Sequence, residues 1–178
     1  MKIKKIVWIV FFALLISLGA AALYMMQHIR GLEENIVVKQ DEMLLTVPAG
    51  TGRVAMEQLL IKNNLLNEGD YFQVLLKVKP ELSQFKAGTY RLTKGMTLHD
   101  VLLLIKSGKE AQFSIRFIEG SRLKDWQSIF EQAPQLAAVA HTMNSDKLRE
   151  EIGIKPEISN LEGWFAPDTY HYTAGTTD

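Results

Sequence analysis

The sequence contains no cysteine, which excludes disulfide bonds, thiolate catalysis, cysteine-ligated zinc and a lipid-modified cysteine anchor. None of its four histidines stands four residues from another, as the two histidines of a helical metal pair would. The chain also lacks a glycine-rich phosphate loop followed by Lys-Ser or Lys-Thr, and a Gly-x-Ser-x-Gly nucleophile turn. The sequence therefore predicts a protein with no metal site and no cofactor.

The chain also has no net charge, because 20 Lys and Arg residues balance 20 Asp and Glu residues. The first 30 residues hold four basic groups and no acidic one. The rest of the chain therefore holds 16 basic groups, which is 20 less four, against all 20 acidic groups. A slightly acidic body does not suit the phosphates of nucleic acid, so no nucleic-acid partner is expected.

The N-terminus carries the longest apolar run of the chain. Ile6–Met26 is a run of 21 uncharged residues, and a helix needs roughly 20 residues to cross the hydrocarbon core of a membrane. Lys2, Lys4 and Lys5 precede the run, which predicts that residues 1–5 are a cytoplasmic tail. The sequence thus predicts a single-pass anchor in the inner (plasma) membrane, with the body of the chain on the periplasmic, extracytoplasmic side.

The same run has a second interpretation as a cleaved signal peptide. Ala20, Ala21 and Ala22 are small residues of the kind found at a cleavage site. The apolar segment of a signal peptide is typically about 7–15 residues long, which is shorter than this run. The length favours an anchor that stays attached to the protein.

The body of the chain repeats one local pattern three times: a short strand, a turn with glycine and an amphipathic helix. Helices are predicted over 54–61, 98–105 and 123–130, and also over 68–79 and 145–151. Thr97 can cap the helix over 98–105, with Asp100 in the place of the capping-box acid, and Gly108 can end it. Mixed strands and helices of this kind predict an α+β protein.

Composition divides the chain behind the membrane helix 6–26. Residues 27–42 are predicted to form a polar stalk that leads into a strand near Ile36–Val38. Residues 43–108 are predicted to form a small module, and residues 112–178 to begin a second domain.

The segment 85–92 (FKAGTYRL) has a glycine turn followed by a strand. Tyr90 and Leu92 point to the same face of that strand. In one interpretation Tyr90 is a core residue behind a turn at Gly88. In the other, its ring stacks on a glycan.

Glu162 is the best candidate for chemistry in this chain. Leu161, Trp164 and Phe165 flank it, and apolar surroundings favour the protonated carboxyl group that a general acid needs. The sequence therefore allows a catalytic Glu162 as the weaker of two interpretations.

Asp168 is the second carboxylate near Glu162, as hydrolysis of a glycosidic bond usually requires. In the alternative interpretation both carboxylates hold a turn around Pro167 by hydrogen bonds to backbone amides. In either case the rings of Trp164 and Tyr170 can line a sugar site.

Several segments occur together in a specific order. Behind the anchor come FKAGTYRL at 85–92, SGKEAQF at 107–113, FIEGSRLKDW at 117–126 and LEGWFAPDTYHY at 161–172. Together they closely resemble the endolytic murein transglycosylase family, the YceG-like proteins, from the anchor to the last residue. The resemblance implies that 43–108 is a LysM-like module and that 112–178 is the N-terminal part of the catalytic domain.

The resemblance also implies an activity. Members cleave the MurNAc–GlcNAc β-1,4 bond within peptidoglycan strands without water and leave 1,6-anhydroMurNAc ends. One carboxyl group acts alone: it protonates the leaving oxygen and then, as a base, helps the C6 hydroxyl of MurNAc to close the anhydro ring. The implied partners are nascent glycan strands, the inner membrane and peptidoglycan synthases.

The glutamate regarded as catalytic in the family lies downstream of the EGW-PDTY segment, in a helix of the Ala-Ser-Ile-Ile-Glu-x-Glu type. No such motif occurs here, so we expect a truncated chain that is inactive by itself, with Glu162, Trp164, Asp168 and Tyr170 as substrate-binding residues. Two other functions stay open. One is a non-catalytic, membrane-anchored peptidoglycan-binding or wall-synthesis scaffold protein, and the other is a hydrolase that uses Glu162 and Asp168.

Overall fold

The computed structural model describes residues 2–137, 150–151, 153, 161–164 and 166–177. The chain divides into two compact units, Met1–Lys109 and Glu110–Asp178. Helices and strands occur in both units, which confirms the predicted mixture. The helix predicted over 145–151 lies largely outside the described residues, and so does Phe165.

Six elements and one 3-10 turn build the first unit. In chain order they are α1 (Lys2–Glu34), β1 (Glu42–Val47), α2 (Arg53–Lys62), α3 (Phe72–Val78), the 3-10 turn Pro80–Ser83, β2 (Gly88–Thr93) and α4 (Leu98–Ser107). The second unit contains β3 (Phe113–Arg116), α5 (Leu123–Gln132) and β4 (Thr169–Tyr172).

Helix α1 has 33 residues, which corresponds to about 50 Å at 1.5 Å per residue. Its part Val10–Glu34 is long and apolar enough to cross a membrane, although a signal sequence meets the same description. Large apolar side chains of this helix, such as Trp8 and Ile16, are exposed over most of their surface. Exposed apolar surface of this extent marks a region that contacts a lipid or a protein partner.

The end of α1 packs into the first unit. Ile29 is 4% exposed, and Val37 beyond the helix is buried as well. In the same contact the buried carboxylate of Glu33 forms an ion pair with Lys79 Nζ at 2.7 Å. Part of the segment 27–42, predicted as a polar stalk, therefore belongs to the core, because burial of its apolar side chains is favourable.

Two local predictions were wrong. The strand predicted near Ile36–Val38 is only an isolated bridge between Ile36 and Thr97, since the N–H groups of Val37 and Val38 both donate to the Met96 carbonyl and do not continue a ladder. The helix predicted over 68–79 begins at Phe72, because Gly69 takes φ = +85° in the preceding turn and a left-handed residue interrupts a helix.

Strands β1 and β2 pair antiparallel along their whole length. Tyr90 and Leu92 are fully buried on the inner face of β2, which confirms that they share one side of the strand. The Tyr90 hydroxyl donates a hydrogen bond to the Lys86 carbonyl at 2.8 Å, and the Ile105 carbonyl oxygen lies 3.2 Å from the same hydroxyl. Tyr90 is thus a core residue, and a stacking role for its ring is excluded by its burial.

Helix α4 packs with the periodicity that the sequence predicts, burying Leu98, Val101, Leu102 and Ile105. The predicted capping box forms: the Thr97 N–H donates to Asp100 Oδ2 at 3.0 Å, and the Asp100 N–H donates to Thr97 Oγ1 at 3.2 Å. The backbone N–H of Thr97, and then its hydroxyl, lower the pKa of Asp100. Gly108 ends the helix at φ = +73°.

In the second unit β3 pairs antiparallel with β4. The rings of Phe113 and Tyr172 stack across the pair, with centroids 5.7 Å apart. The Tyr172 hydroxyl donates to the Pro134 carbonyl at 2.8 Å, and burial raises the pKa of Tyr172. These contacts hold β3 and β4 together. The predicted site residues lie on β4 or on the segment before it.

Candidate functional site

A cleft of about 250 Å³ opens in the second unit. It lies between the loop after β3, the start of α5 and the segment that leads to β4. The described residues that line it are Ile118, Gly120, Ser121, Leu123, Trp126, Leu161, Glu162, Gly163 and Pro167. Folding therefore joins two stretches that are about 40 residues apart in the sequence.

A turn shapes the loop between β3 and α5. Gly120 takes φ = +80°, which side chains disfavour, and the Ser121 N–H donates to the Ile118 carbonyl at 3.2 Å. The Arg122 N–H donates to Asp125 Oδ2 at 3.0 Å, which places an acid in the first turn of α5 where the helix dipole favours it. The turn leaves the side chain of Ile118 64% exposed at the cleft.

Aromatic rings support one side of the cleft. The ring of Phe117 stacks on Trp126 with centroids 4.1 Å apart, and it contacts Phe130 at 5.1 Å and Tyr170 at 5.9 Å. Trp126 and the cleft residue Leu161 are buried. Interlocked rings of this kind are rigid as well as apolar, so the cleft has a preformed apolar wall.

Glu162 attaches the second stretch to the first. Both of its carboxylate oxygens lie 3.1 Å from the backbone nitrogen of Leu123, whose N–H donates to them. Leu123 is the first residue of α5, and an anionic group at a helix N-terminus is favourable. Glu162 is exposed, whereas the general-acid hypothesis relies on burial among apolar groups, and its bonds to the Leu123 N–H are those of a side chain that caps α5.

Trp164, Asp168 and Tyr170 are not among the described residues that line the cleft. Trp164 and Tyr170 are 54% and 44% exposed, and the Tyr170 hydroxyl donates to the Ala166 carbonyl at 2.8 Å. Asp168 Oδ1 accepts from the Thr169 N–H at 2.7 Å. Of the four predicted site residues, the structure thus places only Glu162 at the cleft, and the other three on the segment that follows it.

Sequence reasoning missed the contribution of the first stretch. Ser121, Leu123 and Trp126 line the cleft, whereas the sequence analysis predicts only a helix over 123–130 and no binding role for this stretch. A usable signal was present, because Gly120 and Ser121 stand between the predicted strand and the predicted helix over 123–130. Such a turn is a frequent place for binding residues.

The cleft combines an apolar wall with a hydroxyl group and a carboxylate. Ser121 and Glu162 supply the polar groups, and Trp126 and Leu161 supply the wall. Across the described ranges, His, Asp and Glu side chains form no group of three or more that could hold a metal ion. The arrangement suits a ligand that has both an apolar face and hydroxyl groups.

Comparisons with known proteins place the chain. The model of the YceG-like family matches residues 45–178. An endolytic murein transglycosylase of Bacillus subtilis (strain 168) is 29% identical over 143 residues, which cover 72% of this chain and 39% of that protein. The chain therefore spans well under two thirds of the length of this relative.

A crystal structure of a YceG-like protein from Listeria monocytogenes is also similar, at 18% identity. The likeness covers 75% of this chain and 49% of that chain, with a TM-score of 0.36, which is too low to establish a shared fold. The family model is decisive, since it matches most of the chain and includes every segment that forms the cleft. The protein belongs to the YceG-like family.

Proposed function

We propose that this chain is the N-terminal part of a membrane-anchored lytic transglycosylase of peptidoglycan. The match of the YceG-like family model to residues 45–178 is the observation that carries the proposal. The name of the Bacillus subtilis relative, endolytic murein transglycosylase, supports it. Because the chain spans 39% of that relative, the activity is proposed for the complete protein.

The proposed reaction breaks the MurNAc–GlcNAc β-1,4 bond within nascent glycan strands and consumes no water. A carboxylic acid gives its proton to the leaving oxygen, and the resulting carboxylate takes the proton of the C6 hydroxyl of MurNAc. That hydroxyl oxygen bonds to C1 and closes the 1,6-anhydro ring. Atoms balance without a second nucleophile, and the acid is regenerated in its protonated form.

We assign no catalytic residue within this chain. Glu162 lies at the N-terminus of α5 with its carboxylate already accepting the Leu123 N–H, which suits a residue that shapes a cleft. We propose that Glu162 positions the segment beyond it, that Trp164 and Tyr170 offer rings to a sugar, and that Asp168 holds the backbone between them. This assignment favours the substrate-binding interpretation over a hydrolase that uses Glu162 and Asp168.

We further propose that residues 6–26 anchor the protein in the inner membrane, with residues 1–5 cytoplasmic and the body periplasmic. The length and exposed apolar surface of α1 support an anchor, and the preceding lysines support the orientation. Such a position places the body beside nascent strands and beside peptidoglycan synthases, which are the proposed partners.

Residues 43–108 are proposed to be a LysM-like module. The order of strand, two helices and antiparallel strand in β1, α2, α3 and β2 supports this. In this proposal the first unit binds the glycan strand, and the cleft of the second unit binds the part of the strand that contains the glycosidic bond to be cleaved.

The test is digestion of purified peptidoglycan by the complete protein in detergent micelles, followed by mass spectrometry of the released ends. We expect 1,6-anhydroMurNAc ends, and we expect Trp164→Ala to lower their rate of release several-fold. His171→Ala is the matched control, since His171 is also exposed, lies on β4 and is assigned no contact with the sugar. Ends that carry a water-derived hydroxyl at C1 would overturn the lyase assignment.

A second candidate is a non-catalytic, membrane-anchored scaffold that binds peptidoglycan. The capping role of Glu162 favours it, because the carboxylate of the cleft is already engaged. Retention of the full chain on insoluble peptidoglycan, together with an absence of anhydro ends from the complete protein, would support this function. A lack of retention relative to an unrelated membrane protein would remove it.

A further inference from the structure

A polar groove in the first unit shares no described lining residue with the cleft, and the function proposed above assigns this groove no ligand. It has a volume of about 240 Å³ and is formed by the last turns of α1 and the turn between α2 and α3. Its lining includes Gln27, His28, Asn35, Asn67, Asp70 and Tyr71. Pockets for drug-sized ligands start at roughly 300 Å³, so this groove suits a single small ring.

The groove is built from preorganised parts. The Asn67 N–H donates to Asp70 Oδ2 at 3.0 Å, and the Asp70 N–H donates to the Asn67 carbonyl at 3.3 Å, so the turn holds its own shape. On the α1 side, the Tyr24 hydroxyl lies 3.2 Å from His28 Nε2. The rings of His28 and Tyr71 lie 5.5 Å apart, and together they form the aromatic part of the groove.

The chemistry of the lining is selective. Carboxamides both donate and accept, and one amide can bond two neighbouring hydroxyls. Gln27, Asn35 and Asn67 supply three such groups, and Tyr71, 42% exposed, supplies an apolar ring face. No Lys or Arg is among the described residues of the lining, which disfavours a phosphate or another anion. We propose that this groove binds one pyranose ring of a glycan.

The position of the groove suggests where the sugar is presented. If residues 6–26 span the membrane, which rests on the proposed function, Gln27 follows the hydrocarbon core directly. Leu32, the last residue of α1 in the lining, then lies about 9 Å above it at 1.5 Å per residue. Each headgroup layer is roughly 5–7 Å thick, so the groove opens at the membrane surface. The sugar preference does not depend on this step.

The experiment is a titration of the full chain in detergent micelles with a β-1,4-linked N-acetylglucosamine tetramer, by calorimetry. The Trp164→Ala background is used throughout, so that sugar binding by the ring of Trp164 proposed above does not contribute. Asn35→Ala and Tyr71→Ala should each weaken binding about fivefold or more, the effect of one lost hydrogen bond or ring contact. Gln84→Ala, an exposed amide outside the described lining, should bind like its parent.

Asp70→Asn distinguishes a sugar from an ammonium group. An amide still bonds to hydroxyls, so tetramer binding should survive this change, whereas an ammonium ligand would lose its charge partner. Competition of ethanolamine with the tetramer in the parent, abolished by Asp70→Asn, would overturn the proposal. Equal tetramer binding by the groove variants and by Gln84→Ala would overturn it as well, and so would an absence of groove-dependent binding to both the tetramer and a galactolipid.

Two further arms identify the source of the sugar. Nanodiscs that contain a galactosyl diacylglycerol are compared with phosphatidylglycerol nanodiscs to which the soluble tetramer is added. Groove-dependent binding to the galactolipid nanodiscs alone indicates that the sugar is a glycolipid headgroup. Groove-dependent binding to the soluble tetramer alone indicates that it belongs to a glycan strand. Neither result depends on release of anhydro ends, so failure of the transglycosylase proposal and failure of this one are separate outcomes.

Discussion

The two units differ in how they use apolar side chains. In the first unit one continuous cluster of buried apolar residues joins the end of α1 to α2, α3, α4 and both strands. In the described part of the second unit a smaller group of rings surrounds Phe117, while Ile118, Trp164 and Tyr170 are exposed near an open cleft. Burial stabilises by roughly 25 cal/mol per Å², and exposed apolar surface is available to a ligand. The first unit thus buries its apolar side chains in a stabilising core, and the described part of the second unit leaves several of them accessible to a ligand.

The largest effect should follow from a cavity in the core of the first unit. Leu102 is fully buried on α4 and its neighbour Leu103 is 41% exposed. Leu102→Ala should lower the free energy of unfolding by about 2–5 kcal/mol, and Leu103→Ala by less than about 1 kcal/mol. Urea unfolding of the full chain in micelles measures both. Equal effects of the two changes would contradict a continuous core around α4.

The contact between α1 and its unit can be broken at one ion pair. Glu33 is buried and lies 2.7 Å from Lys79 Nζ and 3.3 Å from His99 Nδ1. Breaking a fully buried pair costs about 3–5 kcal/mol. Because Lys79 is 38% exposed, we expect Glu33→Gln to lower the free energy of unfolding by less, about 1–3 kcal/mol.

The exposed Glu34 provides the control for this change. Glu34→Gln should leave the free energy of unfolding within about 0.5 kcal/mol of the parent. Hydrogen exchange of the amides after residue 27 should also rise in Glu33→Gln alone, since that variant loosens the end of α1. Unchanged exchange would show that the ion pair does not hold this helix.

A smaller loss is expected from the cap of α4. Thr97→Ala removes the hydroxyl that accepts the Asp100 N–H, which costs about 0.5–2 kcal/mol. The pKa of Asp100 is lowered in the folded state. Its contribution is therefore present above the unfolded pKa of about 3.9, and is lost as pH falls through the lower folded value.

The pH dependence checks this interpretation of the cap. The Tm values of the parent and of Thr97→Ala should differ most near neutral pH. This difference should shrink as the solution is acidified through the folded pKa of Asp100. Thr93→Ala, an exposed threonine at the end of β2, serves as the control. A difference that stays constant down to strongly acidic pH would separate the cap from the titration of Asp100.

The smallest effect should come from the second unit. Glu162→Gln keeps an oxygen that can accept the Leu123 N–H but removes the charge at the N-terminus of α5. The helix dipole makes that charge worth about 0.3–1 kcal/mol, and Glu119→Gln, also exposed, should cost less. Denaturant unfolding measures both variants. If Glu162→Gln lowered the free energy of unfolding as much as Leu102→Ala, the residues of the cleft would contribute to stability as strongly as the core of the first unit.

Local patterns were predictable wherever neighbouring residues decide the structure. The face of α4, its capping box at Thr97 and its end at Gly108 all follow from spacing within one helix. Helix α3 was predicted too long, because the left-handed turn at Gly69 depends on the bond between Asn67 and Asp70. A glycine inside a helical pattern does not by itself reveal which conformation it adopts.

The sequence by itself determined the family, the mixture of helices and strands and the apolar N-terminal helix, because each is written in residue order, composition or periodicity. Tertiary structure alone decided that the end of α1 enters the core and that Glu162 caps a helix whose first residue is 39 positions away. It also decided that Tyr90 is buried beneath α4. Those outcomes depend on which distant surfaces meet, and contact between distant segments carries no local signal in the chain.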